Sequence, residues 1–397
     1  MVRIASVVFS YYPSDPRPRR EAEAMVEAGM SVDVFCLRSK GELRTEKVNG
    51  VQVYRLPVSR TRKGKCHYIW EYSYFTGLAF FTLSLFHILK RYHLIHIHNM
   101  PDILIICTLI PRLTGARIIL DLHDPMPEVY ITKYSIKPSH PVIRALCALE
   151  RISIHFANLV LTPNIAFRDL FVSRGCPERK IHIVMNSPQE SIFNVNCDER
   201  TLMNRNGFVI MYHGTITERN GLETALEAMI LLKKEISNLR FEVYGSGDFI
   251  TQFLERVDQL NLNSIVNFHG YKPLQTIAKA IQSINVGIIP NQMSPFTNLN
   301  LPTRIFEYLA LNKPVVAPRT KGILDYFDNG SLYFFDPGNA DSLVNTILDI
   351  YHNPSRCQLV LERGTKIYNM HRWEFEKKYF LSLVKNLLKM DNQSFIS

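Results

Sequence analysis

Two hydrophobic periods alternate along this chain, and that alternation limits its possible folds more than any other feature. Short, uninterrupted, β-branched runs recur between longer segments whose apolar residues fall at helical spacing. In the first half the runs are Arg3–Phe9, Val32–Leu37, Val51–Leu56, Leu94–His98, Ala116–Leu120, Leu159–Thr162 and Ile181–Met185. In the second they are Phe208–His213, Arg240–Tyr244, Ile265–Phe268, Val286–Ile289, Val315–Ala317 and Leu332–Phe335. Runs without polar alternation suit strands covered on both faces, and the intervening helices supply the cover. Helical segments include Arg19–Ala28, stopped by Gly29, then Leu222–Glu235, Phe249–Leu260, Leu274–Ile284, Thr303–Leu311 and Ala340–Tyr351. Two successive strand–helix series predict an α/β protein with two doubly wound domains. A length of 397 residues accommodates both. The polar stretch from Asn186 to Arg205 is the expected linker, so the first domain is read as residues 1–190. Ligands in such folds gather beyond the carboxyl ends of the strands, which makes the cleft between the domains the expected site.

Charge is divided unevenly between the halves. Residues 1–190 hold 25 Lys/Arg against 16 Asp/Glu, and residues 191–397 hold 21 against 20. Nearly all of the +10 net charge therefore sits in the first half, which suggests a polyanionic neighbour there. No recognised nucleic-acid module accompanies it, so an anionic membrane surface is the expected partner and nucleic acid is not. The segment Ile69–Leu89 is apolar and aromatic over nearly the length of a membrane span. Glu71 and His87 lie near its ends, and a strand follows at Leu94. The segment reads either as a long core helix or as a helix lying on a membrane. Arg60, Arg62, Lys63, Lys65 and His67 before it, with Lys90 and Arg91 after it, favour anionic lipid. The seven cysteines, Cys36, Cys66, Cys107, Cys147, Cys176, Cys197 and Cys357, form no CxxC pair. With no signal-peptide pattern in residues 1–30, this predicts a reducing, cytoplasmic setting, peripheral on the inner membrane face.

The most specific motif is Asn298–Ala317, NLNLPTRIFEYLALNKPVVA. A strand ending near Ile289 runs into a loop, a helix and another strand. Pro302 suits a first helical turn, Asn300 is the expected N-cap, and the amides of Thr303–Ile305 are left to bind a diphosphate. Arg304 and Glu307 share a helix face. Glu307 sits among Ile-Phe and Leu-Ala, and a carboxylate in so apolar a helix needs a partner.

A second motif, YHGTITERNGLETALEAM at Tyr212–Met229, ends a strand at His213 and turns through Gly214, Thr215, Arg219 and Gly221 into a helix. Taken alone it is either a capped surface turn or a ligand-binding turn. The first half contributes RIILDLHDPMPE, which carries His123, Asp124 and Glu128 to a strand end, and HIHNMPD with His96, His98 and Asp102. The lone His123 is either a packed structural residue or a site residue. The histidines of the second segment lack further ligand spacing, so no metal is expected.

These residues resemble family 4 glycosyltransferases, retaining enzymes of the GT-B fold, and the resemblance runs from the first strand–helix unit to the WEFEKKY helix. It implies two Rossmann-like domains facing a cleft, the second a donor domain at residues 191–375, and a last helix at 376–397 that crosses back. It implies that the donor site of a nucleotide diphosphate sugar comprises Gly214, Thr215, Arg219, Gly245, Gly270, Tyr271, Asn300, Leu301, Pro302, Thr303, Arg304 and Glu307. In that reading Glu307 holds the ribose, Arg219 and Arg304 face the diphosphate, and His123 faces the sugar. The catalytic set is then His123, Arg219 and Glu307. The family's second glutamate, eight residues before the first, is Leu299 here. Asp15, Arg17 and Arg20 in SYYPSDPRPRREAEAM resemble a variant first turn and, with Asp124 and Glu128, form the expected acceptor side. No D-x-D occurs, so neither metal nor other cofactor is expected. The implied activity is transfer to an acceptor hydroxyl, on a lipid-linked saccharide of surface polysaccharide synthesis. The alternatives are a nucleotide-sugar epimerase of the same fold and a degenerate scaffold subunit.

Overall fold

The apolar runs form two separate sheets in the computed structural model, which describes residues 1–60, 65–194 and 207–394. The side chains at 65–69 and 390–394 lie outside that description, as does the part of the expected linker at 195–206. The chain divides into two units, Met1–Met185 with Glu376–Ser397, and Asn186–Phe375.

In chain order the first unit contains β1 (Arg3–Tyr11), α1 (Pro16–Glu27), β2 (Ser31–Leu37), β3 (Thr45–Val48), β4 (Val51–Leu56), α2 (Lys65–Lys90) and β5 (Leu94–His98). A 3₁₀ turn (Asp102–Thr108) leads into α3 (Leu109–Leu113) and β6 (Arg117–Asp121). Then come α4 (Met126–Tyr134), α5 (Pro141–Phe156), β7 (Leu159–Thr162), α6 (Ile165–Ser173) and β8 (Ile181–Ile183). The sheet order is β3-β4-β2-β1-β5-β6-β7-β8, parallel except for the β3–β4 pair. From β1 the chain winds one way to β2 and later the other way to β5, so a topological switch point lies at the ends of β1 and β5.

The second unit contains β9 (Phe208–Thr215), α7 (Leu222–Glu235), β10 (Leu239–Ser246), α8 (Ile250–Gln259), β11 (Val266–Phe268), α9 (Leu274–Gln282) and β12 (Val286–Ile288). It continues through α10 (Pro295–Leu299), α11 (Thr303–Ala310), β13 (Val315–Pro318), α12 (Lys321–Leu324), β14 (Tyr333–Phe335), α13 (Ala340–His352) and α14 (Pro354–Met370). The order β11-β10-β9-β12-β13-β14 is wholly parallel, with the switch point between β9 and β12. Its core joins Ile210 and Tyr212 of β9 to Leu226 and Met229 of α7 and Leu343 and Ile347 of α13. Burying one such side chain contributes about 1.5–3 kcal/mol.

The last helix, α15 (Trp373–Ser394), ends in the first unit. Glu376 there accepts a hydrogen bond from Met185 N–H at 2.9 Å, Tyr379 Oη lies 2.9 Å from His182 Nδ1, and Phe380 is buried beside His96. The units divide at Met185, before the expected residue 190. β8 ends at Ile183, and the Ser187 hydroxyl already donates to the carbonyl of His371 in the second unit.

Two elements depart from the sequence reading. α1 starts at Pro16 instead of Arg19, because Asp15 caps the Arg17 amide at 3.4 Å and Pro16 presets the first helical φ. β3 was not expected: its residues, TEKV, carry no apolar run, and the Asn49-Gly50 turn, with φ of 49° and 84°, folds them back on β4.

α2 packs one face on the sheet. Phe9 meets Tyr72 and Phe75 edge-on at 4.8 and 5.1 Å, and Phe35 meets Phe86 at 5.6 Å. Trp70–Lys90 is long and apolar enough to cross a membrane by length and composition. Of the basic residues flanking it, Arg60 and Arg91 are exposed. Lys90 instead bonds Asp33 at 2.5 Å and Tyr54 at 2.9 Å, which removes it from the expected lipid-facing set. Arg62 and Lys63, and the side chains of Lys65 and His67, lie outside the described residues.

Candidate active site

Three consecutive residues at the end of β9 are each engaged by a residue of α11. Tyr308 Oη donates to Met211 O at 3.0 Å, and the Arg304 guanidinium lies 4.8 Å over the Tyr212 ring. Arg304 Nη1 also donates to His213 O at 2.8 Å, and Glu307 Oε2 lies 3.3 Å from His213 Nε2. Residues 304, 307 and 308 fall on one helical face, so the sequence spacing produces this arrangement directly. Glu307 and His213 are both buried. Burial and then the Arg304 charge push the His213 imidazole down to about 3, so it is neutral at pH 7.

Arg304 was expected to face a diphosphate. Part of its fork instead holds α11 to β9, with Nη2 3.4 Å from Asn291 Oδ1 as well. Gly214 leaves space for it, since a Cβ there would come within 3.1–3.3 Å of the guanidinium. Asn300 does not cap α11: its N–H closes α10 on Phe296 O at 3.0 Å, and Pro302 occupies the N-cap position with no side-chain cap bond. The start of α11 is thus without a side-chain cap. Leu301 and Pro302 are buried behind it, and Thr303 is half-buried.

Arg219 sits in a 3₁₀ turn between β9 and α7. Gln292 N–H donates to its carbonyl at 3.0 Å, and its guanidinium lies 5.0 Å from the Phe296 ring. The turn closes at Gly221 (φ 68°), where a Cβ would fall 1.8 Å from Pro290 O, so only glycine lets the β9 and β12 loops approach. Asn220 donates to Thr215 O at 2.5 Å, while the Thr215 side chain is exposed. Gly245 N–H donates to Gly270 O at 2.9 Å, which joins the ends of β10 and β11 beside the exposed Tyr271. The expected donor residues therefore gather at the carboxyl ends of β9–β12. His213 and Asn291 belong with them, although sequence reasoning did not select them.

In the first unit, Asn99 shapes the end of β6. Its Oδ1 accepts from His123 N–H at 3.1 Å, and its Nδ2 donates to Asp124 O at 2.6 Å. His123 is partly exposed, with Nδ1 4.0 Å from Asp121 Oδ2. Sequence reasoning passed over Asn99, which sits inside the HIHNMPD motif.

Two expected acceptor residues have other work. Arg17 is buried; its Nε and Nη2 donate to the two oxygens of Asp121 at 2.6 and 2.7 Å, and Nη1 donates to Val184 O at 2.8 Å. It ties α1 to the ends of β6 and β8, and no fork is left for a substrate. Glu128 pairs with Arg174, which also reaches Glu150 at 3.1 Å. Arg20 is buried as well, Asp15 caps α1, and Asp124 is half-buried.

His96 and His98 turn away from Asp102 toward Glu21 and Asp121, and one ligand-type atom from each of the four lies within 4.8 Å of the others. Burial lowers both imidazoles. Burial would raise Asp121, but Arg17 and His98 hold it well below the carboxylate range. Arg17 already supplies the cluster's positive charge, so a divalent cation would enter beside a buried guanidinium. This donor set does not fit a metal. Among the described residues all cysteines are free thiols; Cys197 and the Cys66 side chain lie outside them.

Two Rossmann-like α/β units, each built on a largely parallel sheet, define the GT-B class of glycosyltransferase. Residues 198–367 match the model "Glycosyl transferases group 1", and residues 15–187 match "Glycosyl transferase 4-like domain". The chain belongs to the family 4 glycosyltransferases, which retain anomeric configuration. It is 23% identical over 383 residues to an uncharacterized glycosyltransferase of Methanocaldococcus jannaschii, covering 93% of each chain. It is 23% identical over 192 residues to the amylovoran biosynthesis glycosyltransferase AmsK of Erwinia amylovora, a match spanning 48% of this chain and 46% of that one. Anabaena HepE, solved with UDP-glucose, superposes with a TM-score of 0.72 at 13% identity, covering 97% of this chain and 100% of that one, and shares the fold.

Proposed function

We propose that the β9–α11 site binds a nucleoside diphosphate sugar and that the chain transfers the sugar to a saccharide carried on a lipid. The observation that carries this reading is the buried Glu307 carboxylate beside a neutral imidazole, at the switch point where α/β sheets bind ligands. A carboxylate so placed accepts hydrogen bonds from a ribose diol. The start of α11 and the half-exposed Arg219 offer the positive potential that a diphosphate needs as a leaving group. The reading assigns His123, pinned by Asn99, to the transferred sugar. It requires no metal, since cationic side chains and helix amides neutralise the departing charge. The UDP-glucose held by HepE supports a nucleotide sugar, and the polysaccharide named for AmsK supports a surface-polysaccharide acceptor. A cytoplasmic location on the inner face of an anionic membrane follows from such an acceptor and from the basic first unit. The test is radiolabel transfer from a panel of nucleotide sugars to lipid-linked saccharide. Transfer with one donor, lost in Glu307→Gln, supports the reading; hydrolysis or epimerisation of donor without transfer contradicts it.

A further inference from the structure

α2 is apolar on both of its faces. Tyr72, Phe75, Ala79 and Leu83 are buried against the sheet, while Trp70, Tyr74, Phe81, Leu85 and Ile88 are exposed, Phe81 to 72%. Steps of four, seven, four and three residues keep the exposed five on one stripe. A surface helix ordinarily carries charge there. Between Trp70 and Leu89 the only Asp, Glu, Lys or Arg is Glu71, and it is buried. The 3₁₀ turn and α3 pack on α2 and add exposed Ile106, Leu109 and Leu113. Because its inner face is committed to the sheet, α2 can lie along a bilayer but cannot cross one without dismantling the unit.

The stripe runs into a groove of about 930 Å³, and Ile88 belongs to both. The groove lies at the amino ends of β1, β5 and β6, opposite the end that holds His123. Arg91, Lys385 and Lys389 line it, all exposed, together with Leu388, and no Asp or Glu is among its lining residues. Clustered cations without carboxylates, beside an exposed apolar stripe, match an anionic headgroup above acyl chains.

We propose that this stripe and groove form the docking surface for an anionic phospholipid bilayer. Trp70, Tyr74, Phe81, Leu85 and Ile88 enter the headgroup–acyl boundary, and Arg91, Lys385 and Lys389 meet lipid phosphates. The inference deepens the membrane-borne acceptor proposed above and rests on that reading, while locating the contact on α2 and α15 instead of on residues 60–67.

The test is flotation of the full chain with vesicles of phosphatidylcholine, with and without phosphatidylglycerol, at low and high salt. One variant combines Arg91→Asn, which suits the left-handed φ of 52°, with Lys385→Ser and Lys389→Ser. A second combines Phe81→Ser, Leu85→Ser and Ile88→Ser. All six side chains are exposed, so circular dichroism and melting should match the wild type. The wild type should float only with anionic vesicles, and less as salt rises. The basic variant should bind about a hundredfold more weakly, and the apolar variant should stay at the bottom. Trp70 emission should shift to the blue on anionic vesicles, and Trp70→Phe should abolish the shift. Transfer to a soluble acceptor saccharide should persist in both variants, so failed docking is distinguished from failed chemistry. Wild type that does not float at low salt, or variants that float like wild type, would overturn the proposal.

Discussion

Glu307 Oε2 lies 3.3 Å from His213 Nε2, a contact made between the second turn of α11 and the end of β9. Both groups are buried and the imidazole is neutral, so the contact is made to an uncharged ring and is not an ion pair. Glu307→Gln should preserve folding and weaken donor binding by about 1–3 kcal/mol, the worth of a charge-assisted hydrogen bond. His213→Ala should raise KM for donor more than it lowers kcat, because it acts through Glu307. Equal donor KM in wild type and His213→Ala would show that the contact does not position the carboxylate.

Arg219 and Arg304 should separate experimentally. Arg219→Ala removes a half-exposed group stacked on Phe296, and should lower transfer by a few kcal/mol of activation energy with an unchanged melting temperature. Arg304→Ala also releases His213 O and Asn291, and should lose about 1–3 kcal/mol of stability besides rate. Paired kinetics and denaturant melts decide; equal stability losses would erase the distinction.

Arg17→Met should destabilise the first unit by about 3–5 kcal/mol, since it leaves the buried Asp121 carboxylate without its guanidinium partner. Urea unfolding measures this directly. A wild-type midpoint would mean that Arg17 is not the strut between α1, β6 and β8.

This strut marks the limit of what the sequence made legible. Strands β4, β5 and β7 coincide with the apolar runs, as does helix α7, because burial on both faces leaves a continuous local signal. The Arg304–Glu307 face was legible for the same reason, from spacing within one helix. Arg17 lies 104 residues from Asp121, and Asn99 lies 24 from His123, so only the folded sheet brings them together. Asn300 misled because a proline two residues on took the cap position. β3 carries no hydrophobic pattern at all.

Buried carboxyls and buried imidazoles should move stability in opposite directions with pH. Burial pushes Glu150 up to about 8 against the pull of Arg174, and burial likewise raises Glu21 against Arg17. Carboxyls raised on folding stabilise fully below their ordinary range, and that contribution is lost as pH rises through about 8. Burial lowers His96 and His98, and lowers His213 to about 3. Their contribution is full above about 6.5 and is lost as pH falls toward 3. Glu150→Gln should therefore flatten the decline in urea midpoint between pH 6.5 and about 8. An unchanged slope in that window would exclude Glu150 as its source.

Transfer should survive EDTA, because the proposed reading assigns neutralisation of the leaving diphosphate to Arg219 and the start of α11. Loss in EDTA with recovery on Mg²⁺ or Mn²⁺ would contradict this.

The most direct measurement is calorimetric titration of nucleoside diphosphates and nucleotide sugars into wild type and Glu307→Gln. Saturable one-to-one binding of one nucleotide series is predicted, about tenfold or more weaker in the variant, with equal melting temperatures. Absence of binding across the panel, or equal affinity in the two proteins, would contradict the assignment of the β9–α11 site to the donor.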